Sequence, residues 1–434
     1  MKLSEFYRKR IIIILYLSAF GLLWFGYGLF IVPIYGYSGF TWSPNLFKII
    51  ESILIILAIS WSLPAVFKRP SDFFVHLHFL LPILPMLVLY GASDYARQYM
   101  YFVVLAFAMV CMVRKLRVPK IKSASVPASV LMWFSLFAVL IYILFIISQG
   151  GFAYFNLDLR KVYDFRVAAS RNLPSISGYF SPWVSNILIP YILIISIADK
   201  RWGISCLAML GSVIMFSFTS HKSSLLLPLI ASAVYFIVRS KNRMIPNLLA
   251  AYIIFIIISL FPFLVEKILS SETTPFSILA GSLGFRRGYF TPPFLNFAYY
   301  DFFSLHPYTM WAESKLTFGL VDYAYDLPST HVIGYYFHDN VDTGANTGWL
   351  GSGYMQFGFL GMVMYAFFIG LLFAMVDLIA KSKDYRIIIA VLLIPFLGLF
   401  SSTDLPTALL THGLLLALLL VWVIRLDKIN IPRS

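Results

Sequence analysis

The sequence predicts an all-α polytopic membrane protein with about twelve transmembrane helices and two long extracytoplasmic loops. Three observations lead there. With 60% hydrophobic and 12% charged residues and a mean hydropathy of +0.84, a 434-residue chain has too little polar surface to cover a water-soluble globule. Apolar runs of membrane-spanning length recur along the chain, each near the roughly 20 residues that a spanning helix needs. Between them, Lys and Arg cluster in short connections that alternate with nearly uncharged ones, the pattern of cytoplasmic loops.

In chain order, Arg8-Lys9-Arg10 opens onto an apolar run from Ile11 to Pro33 that is too long for a signal-peptide core and reads as a retained first span. Further spans are expected near 47–67, 73–91, 97–113, 128–148, 179–198, 203–219, 223–239, 245–265, 353–379, 386–401 and 407–425. Several carry Pro or Gly, which membrane helices tolerate. Only the run from Thr219 to Ser224 separates the pair at 203–239. The basic connections Lys68-Arg69, Arg114 to Lys122, Lys200-Arg201, Arg239 to Arg243 and Lys381 to Arg386, together with both termini, hold most of the 33 Lys and Arg. Placing them in the cytoplasm sets both ends inside and makes the span number even. The formal charge of +14 is then topological and gives no reason to expect a nucleic-acid partner.

Two connections on the opposite face are long: 149–178, with Arg160, Lys161, Arg166 and Arg171, and 266–353. Loops beyond about a dozen residues are usually functional or disordered. The second is dense in Phe, Tyr, Trp, Leu and Pro, so it should fold, with short amphipathic or re-entrant helices such as 289–304 and 306–317. No solenoid-period repeat and no likeness between halves is evident, and 1–434 reads as one integral membrane domain.

Cys111 and Cys206 both fall in apolar runs, giving neither a disulfide framework nor a zinc site. The phosphate-loop, dinucleotide, zinc-hydrolase and serine-hydrolase signatures are absent. What remains is a set of polar groups on the outer face. The positive-inside rule does not explain Arg166, Arg171, Lys222, Arg286 and Arg287 there, whereas Arg forks and a Lys point charge suit a phosphate or diphosphate at headgroup level. Ordinary headgroup contact is the competing account. His221-Lys222 sits in a connection too short to leave the membrane surface, where charged groups tend to be paired or to line a site.

Histidine is the natural proton carrier near neutrality. His76, His78 and His412 read as packed helix residues and His306 as a turn or cap. His331 and His338, the latter followed by Asp339, place imidazoles and a carboxylate close enough in sequence to deprotonate a sugar hydroxyl. Tyr300 and Trp311 are candidates to stack on a sugar ring, with interfacial anchoring as the alternative.

The segment Ala345-Asn346-Thr347-Gly348-Trp349-Leu350-Gly351-Ser352-Gly353-Tyr354, continuing through Phe357-Gly358-Phe359-Leu360-Gly361, resembles the segment entering a late span of the O-antigen polymerase (Wzy-type) family of oligosaccharide repeat-unit polymerases. The likeness extends to Arg286-Arg287-Gly288-Tyr289-Phe290-Thr291-Pro292, to Tyr299-Tyr300-Asp301-Phe302-Phe303 and to the Ser220–Ser224 turn. The arginine and spaced-glycine pattern of both long loops of some members is not evident around Arg166 and Arg171. The resemblance implies a metal-independent glycosyltransferase of the membrane-embedded GT-C class, without cofactor or nucleotide sugar. It would transfer a growing glycan from an undecaprenyl-diphosphate donor to the non-reducing end of a new lipid-linked repeat unit, at the outer face of a bacterial inner membrane. Its partners would be undecaprenyl-diphosphate-linked oligosaccharide, membrane lipids and a chain-length regulator protein. Arg286 and Arg287, with Lys222 or Arg171, would hold the diphosphate, His331, or His338 with Asp339, would act as base, and Asn346 with Gly348 would shape the sugar-side loop. The alternatives are an O-antigen ligase of the same fold class and a lipid-linked-oligosaccharide flippase. Spans almost free of charge argue against translocation.

Overall fold

A computed structural model of the chain describes residues 2–119, 125–158, 161–162, 165, 173–269, 273–314 and 317–425; the side chains of residues 2–4, 338 and 382 are also outside the description. The protein is an all-α membrane protein. Each apolar run of the sequence contains a helix: α1 (Glu5–Ser38), α2 (Leu46–Ser62), α3 (Pro70–Ala92), α4 (Arg97–Val113), α5 (Ala128–Ser148), α6 (Ser177–Ala198), α7 (Trp202–Thr219), α8 (Ser223–Ile237), α9 (Lys241–Leu269), then α13 (Trp349–Ile379), α14 (Tyr385–Ser401) and α16 (Leu414–Val423). Between α9 and α13 lie three short helices, α10 (Pro275–Gly281), α11 (Thr291–Phe303) and α12 (Ser329–His338), and α15 (Leu405–Leu409) precedes α16. Among the described residues seven helices, α1, α3, α5, α6, α7, α9 and α13, are long and apolar enough to cross a membrane, and α4, α8, α14 and α16 are shorter apolar helices. The only described strands are a two-residue parallel pair, Val126–Pro127 with Ile424–Arg425.

The chain forms two compact units interleaved in sequence. Unit 1 comprises Met1–Arg117, Ser240–Ala374 and Leu399–Leu405, and unit 2 comprises Val118–Arg239, Met375–Gly398 and Pro406–Ser434.

In unit 1, α3 is the central helix, buried along almost its whole length, and α1, α2, α9 and α11 pack around it. With no water in a bilayer core, backbone groups must be satisfied internally. A π-helical turn over Phe79–Ile83 interrupts α3, and there the Leu80 carbonyl accepts from Tyr252 Oη of α9 at 2.8 Å. At the start of α3 a buried ion pair joins Asp72 to Arg114 at 2.8 Å, with side chains only 4% and 5% exposed, and Ser71 Oγ accepts a second bond from Arg114 at 2.6 Å. In unit 2, α5, α6, α7 and α8 pack on one another. α5 is largely unburied, with Trp133, Phe134, Phe137, Ile141 and Leu144 exposed, as expected where lipid tails are the solvent.

Three expectations change. The 353–379 span is not one straight helix. Phe357 (φ −148°, ψ 31°) and Gly358 (φ 60°, ψ −143°) break α13. A β-carbon added at Gly361 would lie 2.0 Å from the Gly353 carbonyl oxygen. Eight residues of straight helix would separate these positions by about 12 Å, so residues 349–356 turn back against the helix that starts at 359. The 407–425 span is likewise interrupted, because Gly413 takes φ 79° between α15 and α16. Within the long loop, 289–304 matches α11, but the described residues 306–314 of the expected 306–317 helix form none: Met310 and Trp311 adopt left-handed backbone (φ 47° and 59°) and their amides bond to the oxygens of Gln356, through its carbonyl and its side chain respectively.

Asp72→Ala should cost about 3–5 kcal/mol, because it leaves the Arg114 charge buried without its carboxylate. Thermal unfolding of the detergent-solubilised protein measures this, and an unchanged midpoint would remove the pair from the core of unit 1.

Candidate functional site

The predicted site residues fall in both units, and each group is built separately. In unit 1 the chain passes from α10 into a nine-residue π-helical stretch, Ser282–Phe290, that carries both arginines. Stretches of this kind occur frequently at functional sites. Glycines allow its close seating: a β-carbon at Gly281 would lie 2.3 Å from the Phe30 ring and one at Gly284 would lie 2.6 Å from Ser259 Oγ. Phe285 is buried, and its ring occupies the space that a side chain at Gly26 would need. The next residue, Arg286, is therefore turned outward from the core. Its guanidinium lies over the Tyr35 ring at 4.3 Å and donates to Ser282 Oγ from Nε and Nη2 at 3.1 and 3.0 Å. Arg286 is half-buried and Arg287 exposed.

α11 continues from this stretch and packs on α12. α12 opens after Pro328, whose carbonyl accepts the His331 and Val332 amides. The returning loop presses on α12 so closely that a β-carbon at Gly334 would lie 1.8 Å from the Thr343 carbonyl oxygen. That loop receives the His331 ring, with Nδ1 bonded to the Val341 carbonyl at 2.7 Å. A carbonyl only accepts, so Nδ1 carries the hydrogen, and in the neutral ring Nε2 is the lone-pair nitrogen. Asp339 caps the C-terminus of α12 in left-handed backbone (φ 50°) and is exposed. The His338 side chain lies outside the described residues.

Asn346 is exposed, and the residue that organises its loop is Asn296 of α11, which the sequence reading passed over. Asn296 is fully buried, and its Oδ1 accepts from Thr347 Oγ1 at 3.1 Å and from the Gly351 amide at 2.7 Å. Tyr299 Oη donates to the Ala345 carbonyl at 3.0 Å. Gly348 has no room for a side chain, since a β-carbon there would meet the Phe400 carbonyl at 2.5 Å.

Tyr300 stacks on Tyr99 at 4.6 Å and lies against Tyr354 at 5.0 Å. Arg287 precedes the start of α11 and Tyr300 lies near its C-terminal end, so the length of that helix, about 20 Å for thirteen residues, separates the predicted phosphate and stacking groups. Beside Tyr300 sits Asp301, half-buried, whose carboxyl burial pushes up to about 6. The sequence signal for it was only its position in an aromatic run. Trp311 is not an open stacking platform. Its Nε1 donates to Tyr365 Oη at 2.7 Å, which in turn donates to Asp404 at 2.9 Å, and its ring packs on Phe357 at the break in α13.

In unit 2, Arg166 and Arg171 lie outside the described residues. Ser220 ends α7 in left-handed backbone (φ 53°), and the next residues, His221 and Lys222, lead into α8. A cavity of about 400 Å³ opens there between the start of α6, the α7–α8 turn and the segment before α16. Six serines line it with Thr219, Asn186, His221 and His412. His412 was expected to be a packed helix residue, but the break at Gly413 removes it from α16 and turns it to the cavity. Among the described residues no three His, Cys, Asp or Glu groups are arranged to hold a metal ion.

The Asp301 shift has a definite sign. Its folded pKa of about 6 exceeds the 3.8 of an ordinary aspartate, so between those values the folded state holds more protons than the unfolded state. Stability conferred by this group therefore falls as pH rises from about 4 to about 6. Asp301→Asn should flatten that part of the melting temperature against pH, and a curve unchanged in that window would place the carboxyl in open solvent.

Comparison of the chain with protein-family models, with curated proteins and with solved structures gives no match in any of the three.

Proposed function

We propose that the protein is a polymerase of lipid-linked oligosaccharide repeat units, resembling the O-antigen polymerases. It would be a multi-pass protein of a bacterial plasma membrane with both termini cytoplasmic. The observation that carries the reading is the orientation of His331: its Nδ1–H is committed to the Val341 carbonyl, so Nε2 is the nitrogen that accepts a proton. In the proposed reaction a hydroxyl at the non-reducing end of the incoming unit gives its proton to Nε2, and its oxygen forms a bond to the anomeric carbon of the donor. The bond from that carbon to the diphosphate oxygen breaks, and the electron pair leaves with the diphosphate. Arg286, held over Tyr35, and the exposed Arg287 offer guanidinium charge that offsets the charge developing on the leaving group.

Among the three predicted bases, His331 is favoured because a fixed ring meets the positional demand of general-base catalysis, whereas Asp339 stands exposed at a helix end. The loop clamped by Asn296 keeps Asn346 next to this hairpin in sequence and available to sugar hydroxyls.

Purified protein in detergent with undecaprenyl-diphosphate-linked repeat units and no other enzyme should give a ladder of lengthened glycans. His331→Ala should reduce turnover by about 10²–10⁴-fold, the usual contribution of a general base, and Arg286→Ala should reduce it without loss of folded protein. The polymerase reading is falsified if folded wild-type protein and the correct substrate give no ladder.

A further inference from the structure

The C-terminal end of α11 carries a second group of polar side chains, apart from the arginine pair. Tyr300 and Asp301 follow Phe297 by three and four residues, so all three share one face of the helix. Phe297 is buried, and its ring stacks on Tyr95 at 4.1 Å. Tyr95 is fixed in turn, because its carbonyl accepts from the buried Lys48 Nζ at 2.7 Å while the same ammonium pairs with Asp94 at 2.8 Å. The last turn of α11 thus rests on a firm base, where the half-buried Tyr300 stacks on the buried Tyr99 ring at 4.6 Å.

A further ring comes from the loop after α11. The amides of Thr309, Met310 and Trp311 bond to oxygens of Met355 and Gln356, which lays this loop along the segment before the break in α13. Tyr308 is thereby carried over the break. A β-carbon at Gly358 would lie 2.6 Å from the Tyr308 hydroxyl, and the backbone of Gly358 (φ 60°, ψ −143°) is one that glycine alone adopts readily. The Tyr308 ring meets Tyr354 edge-on at 5.9 Å, and Tyr354 meets Tyr300 at 5.0 Å. The polar ends of these rings come together: the Asp301 carboxylate acts electrostatically on the Tyr95, Tyr99 and Tyr300 hydroxyls, and Tyr308 acts on that of Tyr300. Asp301 and Tyr300 are half-buried and Tyr308 is 38% exposed, so all three contribute to the same patch of surface.

Two ligand chemistries suit aromatic rings beside a carboxylate. An ammonium ion binds over ring faces, but here the Tyr99 and Tyr300 faces are turned to each other. A sugar ring asks for apolar surface against its C–H face and for both donors and acceptors at its hydroxyls. Phenols give and accept hydrogen bonds and a carboxylate accepts several, so this patch meets that demand. We propose that Asp301, Tyr300 and Tyr308 form a binding subsite for a hydroxyl-bearing sugar ring remote from the diphosphate, the carboxylate accepting from ring hydroxyls and the two tyrosines supplying the surface on which the ring packs. The length of α11 separates the subsite from Arg287, a span that an oligosaccharide of several rings covers. The proposal deepens the polymerase reading and rests on it for the ligand being a glycan.

The test uses the full chain in detergent and saturation-transfer NMR titrations, with the methyl glycosides of glucose, galactose, mannose, rhamnose and N-acetylglucosamine as sugar probes and tetramethylammonium as the cation probe. At least one sugar probe should bind with a dissociation constant that Asp301→Ala raises at least about ten-fold, the loss expected for a hydrogen bond to a charged group, and that Tyr300→Leu raises as well. Asp301→Asn should raise it too, with a thermal midpoint at pH 7 no lower than that of the wild type, since it removes a half-buried charge. A carboxylate that serves only the fold would show a lower midpoint and an unchanged constant. Absence of any sugar binding sensitive to Asp301→Ala overturns the proposal, as does tetramethylammonium binding that Asp301→Asn abolishes. The two readings fail separately. Sugar binding of the expected kind without a ladder sinks the polymerase and keeps the subsite, whereas a wild-type ladder with no Asp301-sensitive sugar binding sinks the subsite and keeps the polymerase.

Discussion

Trp349 donates its indole N–H to His78 Nε2 across 2.9 Å inside unit 1, where neither side chain reaches the surface, and the position of the loop from Ala345 to Gly351 follows from it. Phe400 stacks on the His78 ring at 4.5 Å, and its carbonyl lies so close to Gly348 that only glycine fits. Because an indole N–H only donates, His78 Nε2 must be the unprotonated nitrogen, and the hydrogen resides on Nδ1, a buried atom without a partner among the described residues. An unmet group of that kind costs about 1–3 kcal/mol. The structure carries this cost at the place where α3, the loop before α13 and the end of α14 meet, and Asn296 and Tyr299 then fix the loop from its other side.

The two groups of predicted residues differ in how they are held. His331 belongs to a hairpin in which helix and returning loop touch backbone to backbone at Gly334, an arrangement with little freedom. Arg286 rests on the Tyr35 ring and donates to the Ser282 hydroxyl. The buried Arg114 at the start of α3 is neutralised by Asp72 and serves packing.

Most of the helical framework was legible in the sequence because hydropathy reports directly on lipid exposure, and each apolar run from 11–33 to 407–425 does contain a helix. The turn at Ser220 was legible too, since a short polar interruption between two apolar runs has few alternatives. What was hidden depends on backbone choices that hydropathy does not register. Phe357-Gly358 and Gly413 sit in apolar surroundings, so a chain reversal and a helix break there look like uninterrupted spans. α12 was missed because Ser329–His338 is short and mixed in polarity. Asn296 lay inside an aromatic run, and its importance comes from partners some fifty residues away. The cavity could not be read at all, because its described walls come from residues 173–186, 219–224 and 412, which meet only when the helices are assembled.

The interleaving of the two units has a consequence for biogenesis. His78 precedes Trp349 by 271 positions, and at about 5–20 residues per second a ribosome takes roughly 14–54 s to make that much chain. Through that interval α3 has entered the membrane with its imidazole unmatched, while the whole of α5 to α8 is produced and assembled. Phe400 arrives later still. Unit 1 therefore closes only after Phe400 has been made, so its earliest helices need either an insertase or provisional partners to shelter a polar ring until that segment is delivered.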